Sequence, residues 1–180
     1  MSAQSSPPAP LAALQAQGEA AFVARLGGIV EHSPWVAQRA WARRPFSSWQ
    51  ALYKAMANEI QQTTREEQIA LLQAHPELAG REAVTGEMTP DSNAEQGRLG
   101  LLALDAGQMA RLATLNAQYR ERFSYPFLVA LRLHADLNSV FHALEERLAH
   151  EPSAELPLVL QQVCEVMRGR LAAVAGTALA

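Results

Sequence analysis

Apolar residues recur three and four positions apart along most of this chain, and that spacing restricts what it can fold into. Phe22, Leu26 and Val30 follow it, as do Leu52, Met56 and Ile60, then Met109, Leu112, Tyr119 and Phe123, and finally Val159, Val163, Val166 and Val174. A period near 3.6 puts each set on one face of a helix, where it can be buried against another helix. Strand-like alternation and hairpin-turn dipeptides do not recur, and glycine and proline fall between the periodic stretches. The pattern predicts an all-α, single-domain bundle of roughly eight helices. At 180 residues and 49% hydrophobic content, the chain has enough apolar surface for a core of its own.

Local signals place the boundaries. Ser33-Pro34 reads as an N-cap with proline at the first helical position, and Arg44-Pro45 as the stop. The next helix is predicted over 47–62. Thr64 and Glu67 have capping-box spacing, so another helix starts there and ends at His75-Pro76. A loop is expected between Gly80 and Asp91. In "TPDSNAEQGRLGL" Ser92 precedes Glu95 by three, which predicts a helix beginning at Ser92. Asn116 lies on the apolar stripe of the helix that follows, where a polar amide needs a hydrogen bond, so it is expected to brace a neighbouring loop. "YPFLVALRL" has no helical phase and predicts a short extended apolar segment near 126–132. Two closing helices are expected over about 136–149 and 154–174. The Ser-, Pro- and Ala-rich start reads as a flexible tail over 1–16, followed by a helical domain over 17–175 and a short tail over 176–180.

Several function classes are disfavoured. The formal charge of −3 comes from interspersed signs, so no electrostatic footprint for nucleic acid or an anionic membrane is visible. No apolar run reaches the ~20 residues of a membrane span. Cys164 is the only cysteine, which removes an internal disulfide and any Cys-rich metal site; it reads as a buried thiol in a reducing cytoplasm. There is no HExxH, GxSxG or phosphate-binding glycine loop. The expected partner is therefore a small molecule or a protein, and a nucleotide cofactor is disfavoured.

Candidate chemistry rests on few residues. His75 ends a helix at a loop edge; it is either a histidine favoured there by the helix dipole or an imidazole placed for proton transfer. Arg132 leaves a buried apolar run, and either snorkels to solvent or pairs with an anion of the protein or a ligand. His32 reads as helix-boundary packing, and His134, His142 and His150 as surface histidines.

The order of "EHSPWVAQRAW", "RPF", "LLQAHPELAG", "SNAEQGRLGL", "LNAQYRERFSYPFLVALR" and "ALEERL", with a closing "E…RL", resembles the 2-oxo-4-hydroxy-4-carboxy-5-ureidoimidazoline (OHCU) decarboxylase family from about Phe22 to Leu171. The compound signal is His-Pro-x-Leu-Ala-Gly, then Ser-x-x-Glu-Gln, then Asn-x-x-Tyr and Pro-Phe. The resemblance implies an all-α, cofactor-independent carboxy-lyase, usually a homodimer, that forms S-allantoin in urate breakdown. It implies His75 as the catalytic histidine, Glu95 as its acidic partner and Arg132 as the arginine near the substrate carboxylate. It also implies a substrate site lined by Pro76, Ser92, Asn93, Ala94 and Gln96, with the backbone of Phe127, Leu128, Val129, Ala130 and Leu131 bonding the ring and ureido group.

The chemistry is consistent with those residues. Electrons left by the departing carbon dioxide can spread into the ring, so no electron-sink cofactor is needed. What remains is positioning, donors for the developing charge, and a proton delivered to one face. Two alternatives are a helical binding or scaffold protein without catalysis, and a lyase of a related ureido or hydantoin acid. Three departures from the family pattern stand out: Ser124 where glycine is common, Leu133 after Arg132, and Leu99-Gly100-Leu101 after the Glu-Gln motif. Serine tolerates positive φ less well than glycine, so a rearranged or mildly strained turn is expected at Ser124.

Overall fold

The computed structural model describes residues 10–180. Among them are ten α-helical segments, one 3-10 turn and no strand, so the chain is all-α. Eight of the helices reach seven residues or more: α2 (Glu19–Leu26), α3 (Trp35–Trp41), α4 (Trp49–Gln62), α5 (Arg65–Gln73), α7 (Pro90–Arg98), α8 (Ala106–Phe123), α9 (Leu137–Leu148) and α10 (Pro152–Ala175). Two are shorter, α1 (Leu11–Ala16) and α6 (Arg81–Thr85). Contacts divide the chain into two compact units, one of residues up to Gln62 together with Met167–Ala180, the other Thr63–Val166.

In the first unit the periodic residues are buried as their spacing predicts. Phe22, Leu26, Leu52, Met56 and Ile60 are fully enclosed, each contributing about 1.5–3 kcal/mol of burial. Phe22 packs on Trp41 and Phe46 with ring centroids 5.1 and 6.3 Å away. Arg170 donates to the buried Glu31 carboxylate at 2.8 Å. Of the tail expected over 1–16, residues 1–9 lie outside the described residues, and Leu11–Ala16 forms α1 with Leu11 and Leu14 buried. Gln15 explains why this stretch is ordered, since its amide accepts from Phe46 N–H at 2.7 Å and donates to Phe46 C=O at 3.1 Å.

Two more expectations are corrected here. Ser33 does not cap α3: Pro34 occupies the cap position and makes no side-chain cap hydrogen bond. His32 is exposed at φ 47°, a turn residue and not a packing one.

The second unit carries the candidate chemistry. Thr64 and Glu67 close the expected capping box on α5, and Asp105 and Gln108 close another on α8. The loop expected between Gly80 and Asp91 is interrupted by α6. Met109, placed on the apolar stripe of α8 by its spacing, is 43% exposed.

Candidate active site

Helix α5 delivers His75. The backbone N–H of His75 bonds Leu72 C=O at 3.2 Å, and the half-buried imidazole places Nδ1 2.8 Å from Leu71 C=O. A carbonyl only accepts, so Nδ1 carries the hydrogen and the titrating position is Nε2. After half-buried Pro76 the chain turns sharply. Ala79 takes φ 47°, and a Cβ on Gly80 would stand 2.8 Å from the Glu77 Cβ, which explains the glycine.

Two amides hold this turn. Gln96 Oε1 accepts from Ala79 N–H at 2.8 Å, and Asn116 Nδ2 donates to Leu78 C=O at 3.0 Å. The bracing role expected for Asn116 is thus present. Asn116 Oδ1 is buried without a hydrogen-bond partner among the described residues, and Asn116 borders a cavity of about 280 Å³ with Leu78, Ala79 and Met109.

Helix α7 begins earlier than its serine suggested. Thr89 is the N-cap, its hydroxyl accepting from Ser92 N–H at 3.3 Å, and Pro90 fills the first helical position. Proline has no N–H to satisfy there, which favours this start over one at Ser92. Ser92 therefore does not cap, and Glu95 lies in the second turn, away from the groups a capping box would bond. Positions 92, 95 and 96 share a helix face. Ser92 and Gln96 are buried, Glu95 is half-buried, and Asn93 and Ala94 are exposed. The structure brings the first three side chains to one face, next to the His75 turn through Gln96, and leaves the other two off it.

The apolar segment that follows α8 is buried from Phe127 to Leu131. Residues 126–130 are neither helix nor strand, and Leu131–Leu133 turns as a 3-10 helix, so the extended segment expected there is not found as a strand. Ser124 caps α8 in the left-handed region, with φ 68° and its N–H on Arg120 C=O, as its departure from glycine foreshadowed. Helix α7 reaches this segment too, because Arg98 donates to Leu131 C=O. Arg132 points elsewhere. It is exposed and ion-paired with Glu165 of α10, so its anion comes from the protein.

Beside the segment lies a cluster that sequence reasoning did not single out. Glu155, fully buried in the first turn of α10, accepts from Arg147 Nε at 2.7 Å and from the Tyr119 hydroxyl, and its second oxygen lies 2.8 Å from His150 Nδ1. Arg147 also donates to Leu128 C=O at 2.7 Å and stacks over Phe127, 4.5 Å from its centroid. Gln162 Oε1 accepts from Ala130 N–H at 3.0 Å. Burial raises the Tyr119 hydroxyl pKa and pushes that of Tyr125 up to about 12, so both remain donors at neutral pH.

One signal was present in the sequence: Arg147 continues the apolar face of Val140 and Leu144 on α9, and a charge on such a face implies a buried partner. His150 is consequently no simple surface histidine. His134 is half-buried, bonded to Ser139 at 3.0 Å, and burial lowers its pKa. His142 is exposed and pairs with Glu146. Cys164 is buried, as expected. Among the described residues, no three His, Cys, Asp or Glu side chains are grouped to hold a metal ion, and no helix is long and apolar enough to cross a membrane.

Comparison with known proteins adds the lineage. The OHCU decarboxylase family model matches residues 15–172. The chain is 39% identical over 150 residues to 2-oxo-4-hydroxy-4-carboxy-5-ureidoimidazoline decarboxylase of Halalkalicoccus jeotgali, covering 83% of this chain and 82% of that one. It is 41% identical over 150 residues to the protein of the same name from Mus musculus, covering 83% and 84%. A crystal structure of (S)-allantoin synthase superposes with TM-score 0.71 at 26% identity, over 92% of this chain; the chain spans 54% of that longer one. A crystal structure of OHCU decarboxylase in the presence of (S)-allantoin has the same fold, with TM-score 0.63 at 22% identity over 79% of this chain and 91% of that one. With the motif residues gathered on α5, α7 and the segment after α8, and a family model spanning nearly the whole chain, this protein belongs to the OHCU decarboxylase family.

Proposed function

We propose that this protein decarboxylates OHCU to (S)-allantoin, with His75 and Glu95 as the proton-handling pair. The observation that carries the reading is the bond from Ala79 N–H to Gln96 Oε1. It ties the α7 face holding Ser92, Glu95 and Gln96 to the turn that starts at His75.

The reaction needs little beyond positioning. Hydroxyl and carboxylate share one ring carbon of the substrate. When the bond to carbon dioxide breaks, its electron pair forms a carbon–carbon double bond in the ring, the pair of the adjoining carbon–nitrogen double bond moves onto the nitrogen, which takes up a proton, and an enol is left. The enol hydroxyl then loses its proton, and a proton is added to the ureido-bearing carbon, which becomes the stereocentre. His75 Nε2 is placed to exchange protons because Nδ1 is committed to Leu71 C=O, and Glu95 supports its charged form. Ser92, the Gln96 amide and backbone N–H groups of Phe127–Leu131 serve as donors to the ring and ureido oxygens, while Pro76 lines the pocket. Asn93 and Ala94 contribute through backbone. Arg132 serves the carboxylate only by leaving Glu165, so it carries less of the proposal than His75.

The test is OHCU generated freshly from urate, followed by the optical activity of the product. Rapid appearance of one enantiomer is expected, and His75→Asn should lower the rate about 10²–10⁴-fold. A wild-type rate no faster than buffer, or a His75→Asn variant with full rate and a single enantiomer, overturns the assignment. We further read the protein as a cytoplasmic homodimer on the strength of the family; light scattering on the purified chain tests the dimer.

A further inference from the structure

Buried backbone groups are almost always hydrogen-bonded, so a buried run that is not bonded marks a place where something else binds. Phe127–Leu131 is such a run. Every residue in it is buried, yet among the described residues only Leu128 C=O, Ala130 N–H, Ala130 C=O and Leu131 C=O have partners. The N–H groups of Phe127, Leu128, Val129 and Leu131 and the carbonyls of Phe127 and Val129 make no hydrogen bond within the described residues. Regular geometry holds only the end of the run, where Leu131 enters the 3-10 turn; residues 126–130 are neither helix nor strand.

Side chains hold it. Arg147 binds Leu128 C=O, and Gln162 binds Ala130 N–H. Arg147 is fixed in turn, with Nε on the buried Glu155 carboxylate and a second nitrogen 3.1 Å from the Tyr119 hydroxyl. Its planar fork spans the carboxylate and the carbonyl together, which the single ammonium of a lysine cannot do with the same geometry. Arg147 and Gln162 also border a cavity of about 380 Å³ with Val129, His134 and His150, so the run has open space beside it and depends on these bonds for its position.

We propose that Arg147 and Gln162 are positioning residues, which lock the backbone of Phe127–Leu131 so that its unbonded N–H groups and carbonyls are presented, preorganised, to the ring and ureido group of the substrate. The proposal rests on the OHCU decarboxylase reading for the identity of the ligand. The locking itself does not depend on that reading. In this role each residue acts through the backbone and not on the reacting atoms, and the effect appears in turnover as well as in binding because fixed donors matter most as charge develops.

Three variants test this: Gln162→Met removes the acceptor at similar size, Gln162→Glu restores an acceptor, and Arg147→Lys keeps the charge beside Glu155 while giving up the fork. Each is first checked for helical circular dichroism and a cooperative melt. Gln162→Met should exchange the Ala130 amide hydrogen at least about tenfold faster than wild type, the effect of losing one hydrogen bond. It should also bind (S)-allantoin more weakly by calorimetry and lower kcat/KM about tenfold, with Gln162→Glu recovering most of both. Arg147→Lys should lower kcat more than it raises KM.

Folded Gln162→Met protein with wild-type exchange at Ala130 and wild-type kcat/KM overturns the proposal. So does a loss in Gln162→Met that Gln162→Glu fails to recover. If Gln162→Met does not fold, Arg147→Lys and Gln162→Glu decide: wild-type turnover and allantoin affinity in Arg147→Lys count against the lock. Absence of OHCU turnover in the wild-type protein overturns the functional reading instead, and the exchange rate at Ala130, which needs no substrate, then decides whether Gln162 holds the backbone.

Discussion

Two pieces of irregular backbone carry the proposed site, the turn after His75 and the run Phe127–Leu131, and they are held by different chemistry. Neutral amides hold the turn: Gln96 on Ala79 and Asn116 on Leu78. The run is held by an arginine inside a buried charged cluster, with one amide assisting. An amide bond of this kind is worth about 1 kcal/mol net and can be lost without disaster. A buried ion pair adds little by being there, but removing one partner strands the other charge. The turn is therefore adjustable, and the run is all-or-none.

That contrast can be broken by mutation. Glu155→Gln leaves the Arg147 guanidinium buried without its carboxylate and should cost about 3–5 kcal/mol of stability. Urea denaturation measures it, and a loss below about 1 kcal/mol would mean that the cluster is not a charge pair in solution. Asn116→Leu should cost less, about 1 kcal/mol, because it leaves Leu78 C=O bare but also removes the unpartnered Oδ1. A thermal melt checks stability, and a fall in turnover larger than that in stability would show that the turn sets the position of His75. The smallest effect, of opposite sign, belongs to Ser124, which holds φ 68° between the two regions. Ser124→Gly relieves the left-handed strain of a residue with a Cβ but adds freedom to the unfolded chain, for a net gain of roughly 0.5–1 kcal/mol. A melt no higher than wild type would place the strain elsewhere.

The two regions were also unequally legible. His75, Ser92, Glu95 and Gln96 stand out as polar residues in a recognisable order, and helix spacing alone puts the last three on one face. The cap went to Thr89 because proline at position 90 removes an N–H and presets the first turn, a competing local signal that outweighs the serine three residues before glutamate. Arg132 was conspicuous next to an apolar run and proved to be paired with Glu165. Arg147, more important to the run, looked like one more charge in "ALEERL", although its register with Val140 and Leu144 marked it as inward-facing.

By itself, the sequence determined what local physics can determine: helices where the apolar period is 3.6, a capping box at Thr64, buried Phe22, Leu26 and Leu112, and a break at Pro76. Those depend on residues three or four apart, and the chain carries them wherever it goes. Tertiary structure decided the partners. Asn116 meets a carbonyl 38 residues away and Tyr119 a carboxylate 36 away, distances at which no periodicity speaks. Which buried backbone groups stay unbonded is set by those long-range pairings, because a donor's fate depends on every acceptor that folding brings within 3 Å or so of it.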